Sequence, residues 1–137
     1  MKILKQGAEA ILYKENNNLV KERIAKNYRI KQIDDKLIKI RTKKEAKLLK
    51  SVEFSPKVFD SSKNKIIMEF IDGKLFKDIL DKLSTDEKKK ICGIIGKQIA
   101  ELHNKNIIHG DLTTSNIILK EDKVYFVNNP VNHLFPL

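Results

Sequence analysis

Apolar residues come first in short runs and later in wider, spaced stripes. Ile3-Leu4-Lys5, Ile11-Leu12-Tyr13-Lys14 and Leu19-Val20-Lys21 are brief runs between polar segments, and they predict three β-strands. Asn16-Asn17-Asn18 supplies turn chemistry before the third. Residues 33–51 switch to helical spacing, with Ile33, Leu37 and Ile40 on one face and Leu48 and Leu49 later, until Pro56 ends the segment. Val58-Phe59 and Ile66–Ile71 predict two more strands around a Ser61-Ser62-Lys63-Asn64 turn, and Asp72-Gly73 reads as a hinge. Residues 75–83 predict a short amphipathic helix. Ser84-x-x-Glu87 is a capping box opening a long helix with the stripe Ile91, Ile94, Ile95, Ile99 and Leu102, which ends near Asn104. Two short buried strands, around Ile107-Ile108 and Ile117–Leu119, flank a polar loop. Val124–Val127 hairpins back through Glu121-Asp122.

This order predicts an α+β fold in two parts: a β-rich N-lobe over 1–71 with one inserted helix, and a helical C-lobe over 72–137.

The polar loop, His109-Gly110-Asp111-Leu112-Thr113-Thr114-Ser115-Asn116, has the H-x-D-x4-N layout of a phosphoryl-transfer loop. Such chemistry needs a carboxylate to take or orient the attacking hydroxyl's proton, which suits Asp111. It also needs an oxygen donor for a magnesium ion on the phosphates, which suits Asn116. The competing reading is a surface turn whose Asp, Thr, Ser and Asn cap their own backbone. Three further positions bear on the choice. Gly7-Ala8-Glu9-Ala10 stands where a glycine-rich loop belongs but keeps only Gly7. Lys21 ends the third strand, in reach of a nucleotide's phosphates if a glutamate partners it. Glu45 is that candidate, but Thr42-x-x-Glu45 also fits a capping box that would start a new helix at Thr42, and both roles hold if the segment breaks near Arg41.

Charge changes the picture in one respect. The chain carries 28 basic and 18 acidic residues, a net charge of +10 over 137 residues, which favours polyanionic partners such as nucleotide or tRNA over a neutral ligand. Cys92, the single cysteine, excludes an intrachain disulfide and fits a reducing cytosol. Among Ile91, Ile94 and Ile95 it reads as a buried helix residue. No stretch has the length of a membrane span, and His103, His109 and His133 are too scattered for a zinc site.

Several strings together are specific: Gly7-Ala8-Glu9-Ala10, Lys21-Glu22-Arg23 followed by Lys26-x-Tyr28-Arg29, Arg41-Thr42-x-x-Glu45-Ala46, and His109 to Asn116. With the order of elements they closely resemble the small atypical kinase/ATPase subunit of the KEOPS complex, over nearly all of residues 4–127. The resemblance implies a protein-kinase-like fold with ATP and magnesium. Gly7 would lie at the phosphates, and Lys21 would hold them while Glu45 holds Lys21. Backbone groups at Glu69 and Ile71 would take the adenine, with Met68 behind it. Asp111 would be the catalytic aspartate and Asn116 a magnesium ligand. It implies as partners the threonylcarbamoyl-transferase subunit of KEOPS and tRNA, in the cytoplasm and away from membrane. Departures follow Val127. Where the family has Asp-Phe-Gly this chain has Asn128-Asn129-Pro130, so Asn128 offers the metal an oxygen without charge, and Pro130 fixes a dihedral. The family also continues with further helices, so the resemblance implies a truncated or frameshifted member, with a deliberate pseudokinase as the alternative. Three functions stay open: a KEOPS-type kinase/ATPase, a catalytically impaired binding module in the same complex, and a small-molecule phosphotransferase.

Overall fold

The computed structural model describes residues 2–7, 9–25, 30–109, 112–127 and 134–136. The chain forms two compact units that divide in sequence between Phe70 and Ile71.

The first unit is a five-stranded antiparallel sheet of β1 (Lys2–Gln6), β2 (Ala10–Glu15), β3 (Asn18–Arg23), β4 (Val58–Ser61) and β5 (Lys65–Glu69), in the order β1-β2-β3-β5-β4. Asn16 and Asn17 turn β2 into β3 with φ of 51° and 63°, a left-handed conformation that asparagine tolerates better than most residues. The turn sets the register Leu12↔Lys21 and Ala10↔Arg23, and Lys21 in turn faces Ile66 on β5. Residues paired this way point to one face, so Ala10, Leu12, Lys21, Arg23 and Ile66 share a side of the sheet. Helix α1 (Lys31–Lys50) inserts between β3 and β4, packs against β4 and β5, and buries Thr42, Glu45, Ala46 and Leu49.

α1 is a single unbroken helix, so of the two roles open to Glu45 the capping box that would restart a helix at Thr42 is not taken. The Thr42 hydroxyl donates to the Ile38 carbonyl one turn back, at 2.7 Å. Glu45 turns to the sheet rather than to the backbone of Thr42, because two buried cations wait for it there.

The second unit opens with β6 (Lys74–Leu75), followed by the one-turn helix α2 (Phe76–Ile79) and a 3-10 turn over Leu80–Lys82. This replaces the continuous helix expected over 75–83. Lys74 and Leu75 are drawn into pairing with β8 (Ile117–Lys120), which hairpins with β9 (Lys123–Phe126) through Glu121 at φ 56°. Gly73 makes the pairing possible: a Cβ there would lie 2.5 Å from the Leu119 carbonyl oxygen.

α3 (Thr85–Asn104) begins at the predicted capping box, with the Glu87 amide donating to Ser84 Oγ at 3.1 Å. Its apolar stripe is half-buried apart from Leu102, which is fully covered. Gln98 Nε2 ties the helix to β9 by donating to the Val124 carbonyl at 2.9 Å. Cys92 is exposed, against the buried placement expected for it. It lies about 100° around the helix from Ile91 and falls off the edge of the stripe. Strand β7 (Ile107–His109) pairs antiparallel with β10 (Leu134–Pro136), a strand that the hydrophobic pattern does not announce.

Candidate active site

In the first unit the site is built from alternation along one strand. Side chains two apart on a strand share a face, so β3 sends Lys21 and Arg23 to the same side. α1 runs across that side and delivers Glu45 between them. Lys21 Nζ lies 2.7 Å from Glu45 Oε1, and Arg23 Nη2 lies 2.7 Å from Glu45 Oε2. Lys21 is 1% exposed, Arg23 6% and Glu45 4%. Two cations thus share one carboxylate, each on its own oxygen, in a dry setting where charge-assisted hydrogen bonds are strong and desolvation is costly.

Burial pushes the Lys21 ammonium below the ordinary lysine range. The attraction and hydrogen bond of Glu45 pull the other way, and the nearby Arg23 charge adds to the lowering. Sequence reasoning found the Lys21–Glu45 pair but not Arg23 as its third member. The expected strand stops at Lys21, whereas β3 runs on to Arg23, and alternation along those two further residues places both cations on one face.

Around this triad the first unit holds further expected positions. The Gly7 amide donates to the Ala10 carbonyl at 2.9 Å, closing the turn from β1 to β2. Met68 is buried on β5, opposite Leu19 and so on the Lys21 face. The Glu69 amide donates to the Lys57 carbonyl at 2.8 Å, and its carboxylate accepts from the Lys57 amide at 3.3 Å. Lys26, Tyr28 and Arg29 lie outside the described residues.

The second unit positions Asn116. A 3-10 turn over Thr114–Asn116 leads straight into β8, with the Asn116 amide donating to the Thr113 carbonyl at 2.9 Å. The Asn116 carbonyl accepts from the Val127 amide at 2.8 Å, which fixes the residue where the β8–β9 ladder ends. Asn116 is 1% exposed, and its amide oxygen is the donor type a hard cation such as magnesium takes. Ile71 is buried, and its carbonyl accepts from the Gly73 amide at 3.1 Å. Asp111 and Asn128 lie outside the described residues, as do Gly110, Asn129 and Pro130. Among the described residues no group of three His, Cys, Asp or Glu side chains could hold a metal, so any ion here depends on amide oxygens or on undescribed positions.

A cavity of about 580 Å³ in this unit lies between α3 and the β8–β9 hairpin, floored by Ile79, Leu83, Ile91, Ile94 and Val124. It is lined by none of the predicted site residues, and of the α3 stripe only Ile91 and Ile94 face it. No helix among the described residues is long and apolar enough to cross a membrane.

Comparison with known proteins places this geometry in context. The family model of the RIO domain matches residues 1–131. The chain is 48% identical to the KEOPS complex subunit Bud32 of Pyrococcus abyssi, an alignment covering 93% of this chain and 66% of that protein. It is 38% identical to the EKC/KEOPS complex subunit BUD32 of Enterocytozoon bieneusi, over 93% of this chain and 70% of the relative. It is 40% identical to a probable bifunctional tRNA threonylcarbamoyladenosine biosynthesis protein of Methanobrevibacter smithii, over 92% of this chain and 24% of the relative. The chain therefore spans about two thirds of the archaeal subunit and about a quarter of the bifunctional protein.

Proposed function

Because the chain belongs to the RIO-domain family, in its KEOPS Bud32 branch, we propose that it binds ATP with magnesium and transfers or hydrolyses the terminal phosphoryl group in support of tRNA threonylcarbamoyladenosine modification. The observation that carries this reading is the buried pair of Lys21 on β3 and Glu45 on α1, 2.7 Å apart. A strand lysine held by a helix glutamate is what a kinase uses to set a nucleotide's phosphates.

Gly7 lets the backbone approach those phosphates, and backbone groups at Glu69 and Ile71 take the adenine edge. Asp111 orients the attacking hydroxyl or water and takes its proton. Asn116 and Asn128 are the residues that would hold magnesium, whose charge offsets the phosphate oxygens when it is bound. With no carboxylate at Asn128 that hold is weak, and turnover falls accordingly. Removing electrostatic stabilisation of this kind costs about a hundredfold or more in rate. The partners of this reading are the threonylcarbamoyl-transferase subunit and tRNA, in the cytoplasm.

The test is calorimetric titration of ATP with and without magnesium into the parent and Lys21→Met, beside turnover of the parent, Asp111→Ala and Asn128→Asp. The reading expects magnesium-dependent binding that Lys21→Met abolishes, slow turnover that Asp111→Ala abolishes, and a gain with Asn128→Asp. Binding untouched by Lys21→Met overturns it. The departure at Asn128-Asn129-Pro130 favours a second reading, a binding module in the same assembly. That reading gains if nucleotide binds but Asn128→Asp brings no turnover.

A further inference from the structure

The positive charge of this chain is not spread evenly. α1 alone holds eight basic and three acidic residues, a net of +5 in 20 residues, against +10 for the whole chain. Two of the three acids, Asp34 and Glu45, are buried, which leaves Asp35 as the one exposed acid of the helix.

Lys36, Lys39, Lys43, Lys47 and Lys50 are all exposed and follow one another at steps of three, four, four and three residues. At 100° per residue these steps keep all five within an arc of about 80°, on the side of the helix away from Glu45. Successive lysines rise about 4.5–6 Å along the axis, and the stripe runs for about 21 Å. Arg41 stands off the stripe and lies 3.8 Å from Glu9.

We propose that this stripe is an RNA-docking surface, gripping the phosphate backbone of a folded RNA along the solvent face of α1. The choice of RNA as polyanion rests on the tRNA-linked reading above; the surface itself rests on the charge distribution. Lysines are flexible point charges suited to phosphates in a row, whereas recognition of carboxylates on an acidic protein calls for the bidentate fork of arginine, absent from the stripe. An anionic membrane is disfavoured because α1 spends Ala46 and Leu49 on the sheet. Only Ile33 and Ile40, 53% and 47% exposed, stand outside as apolar contacts on this helix, too few for an interfacial apolar face.

The experiment compares the full 137-residue chain with a fourfold variant, Lys36→Gln, Lys39→Gln, Lys43→Gln and Lys47→Gln, in fluorescence anisotropy with a labelled tRNA transcript across a salt series. Glutamine keeps the helix propensity of these exposed positions. The control is Lys88→Gln, Lys89→Gln and Lys90→Gln on α3. Each phosphate that is no longer neutralised lowers the slope of log affinity against log salt by about 0.7–0.9, so the fourfold variant loses about 3 units of slope and at least about tenfold in affinity at low salt. The α3 control keeps both.

Equal losses in the two variants, or none in the α1 variant, overturn the proposal. Binding of the parent to phosphatidylserine vesicles but not to tRNA overturns it in favour of a membrane surface. ATP titrations on the same samples separate the two readings: a fourfold variant that binds ATP as the parent does is folded, so its RNA result stands alone. An RNA failure leaves the nucleotide reading intact.

Discussion

Two cations on one carboxylate make the triad asymmetric towards mutation. Glu45→Gln keeps the side chain's size but removes the one anion, leaving Lys21 and Arg23 buried side by side. Removing one partner of a buried ion pair costs about 3–5 kcal/mol, chiefly through the charge left behind. Here two charges are left, so the upper part of that range is expected. Lys21→Met differs: Glu45 keeps its 2.7 Å bond to Arg23, and the desolvation that depresses the Lys21 ammonium disappears with it. The net change is expected within about 1 kcal/mol of zero, in either direction. Urea unfolding followed by circular dichroism separates the two. With a slope of about 2 kcal/mol per molar urea, Glu45→Gln moves the midpoint down by about 2 M and Lys21→Met moves it by less than about 0.5 M. The double variant falls between, since it leaves a single buried cation. Equal losses from the two single variants would refute the reasoning, because they would mean that Arg23 does not hold Glu45 once Lys21 is gone. An unmoved midpoint in Glu45→Gln would mean that the triad is wet. Together with the ATP titrations, a Lys21→Met chain that is stable but blind to nucleotide marks Lys21 as functional rather than structural.

Gly73→Ala places a methyl 2.5 Å from the Leu119 backbone oxygen, which cannot swing away as a side chain can, so a loss of about 1–3 kcal/mol in thermal melts is expected. Ser84→Ala removes the acceptor of the Glu87 amide and is expected to cost about 1 kcal/mol by the same assay. Because the folded-state pKa of Lys21 lies below its unfolded value of 10.5, the unfolded chain holds more protons between the two. Stability from this group is therefore lost as pH falls through the folded pKa and regained as pH rises towards 10.5. Midpoints of the parent measured against Lys21→Met should improve as pH rises to 10.5, and an unchanged difference counts against the burial of the amine.

Where local chemistry and tertiary demand agree, the sequence is readable. Asn16-Asn17 turns where its backbone tolerance says it should, and the Ser84–Glu87 box opens α3 with both of its hydrogen bonds. Thr42-x-x-Glu45 has the same local form as Ser84-x-x-Glu87 and a different outcome. A buried lysine and arginine claim Glu45, and the Thr42 hydroxyl falls back on Ile38. Spacing alone cannot rank a backbone amide against a guanidinium and an ammonium that arrive from 22 and 24 residues away. Leu75, paired in β6 with Lys74, departs from its expected helix for a related reason. Its strand exists only because β8 lies beside it, and the glycine that admits β8 is legible merely as a break. Cys92 shows the limit of reading neighbours in sequence as neighbours in space on a helix.

The two faces of α1 share one rod, and this places a phase constraint on the gene. A single codon inserted between Lys39 and Thr42 would rotate everything downstream by about 100°, carrying Glu45 off Lys21 and Arg23 and breaking the lysine row in the same stroke. A residue added at the Asn16-Asn17 turn, both exposed, would instead lengthen a loop and leave both faces in register. Length variation in this chain should therefore collect in its turns, while α1 accepts substitution at its exposed positions but no change in residue count.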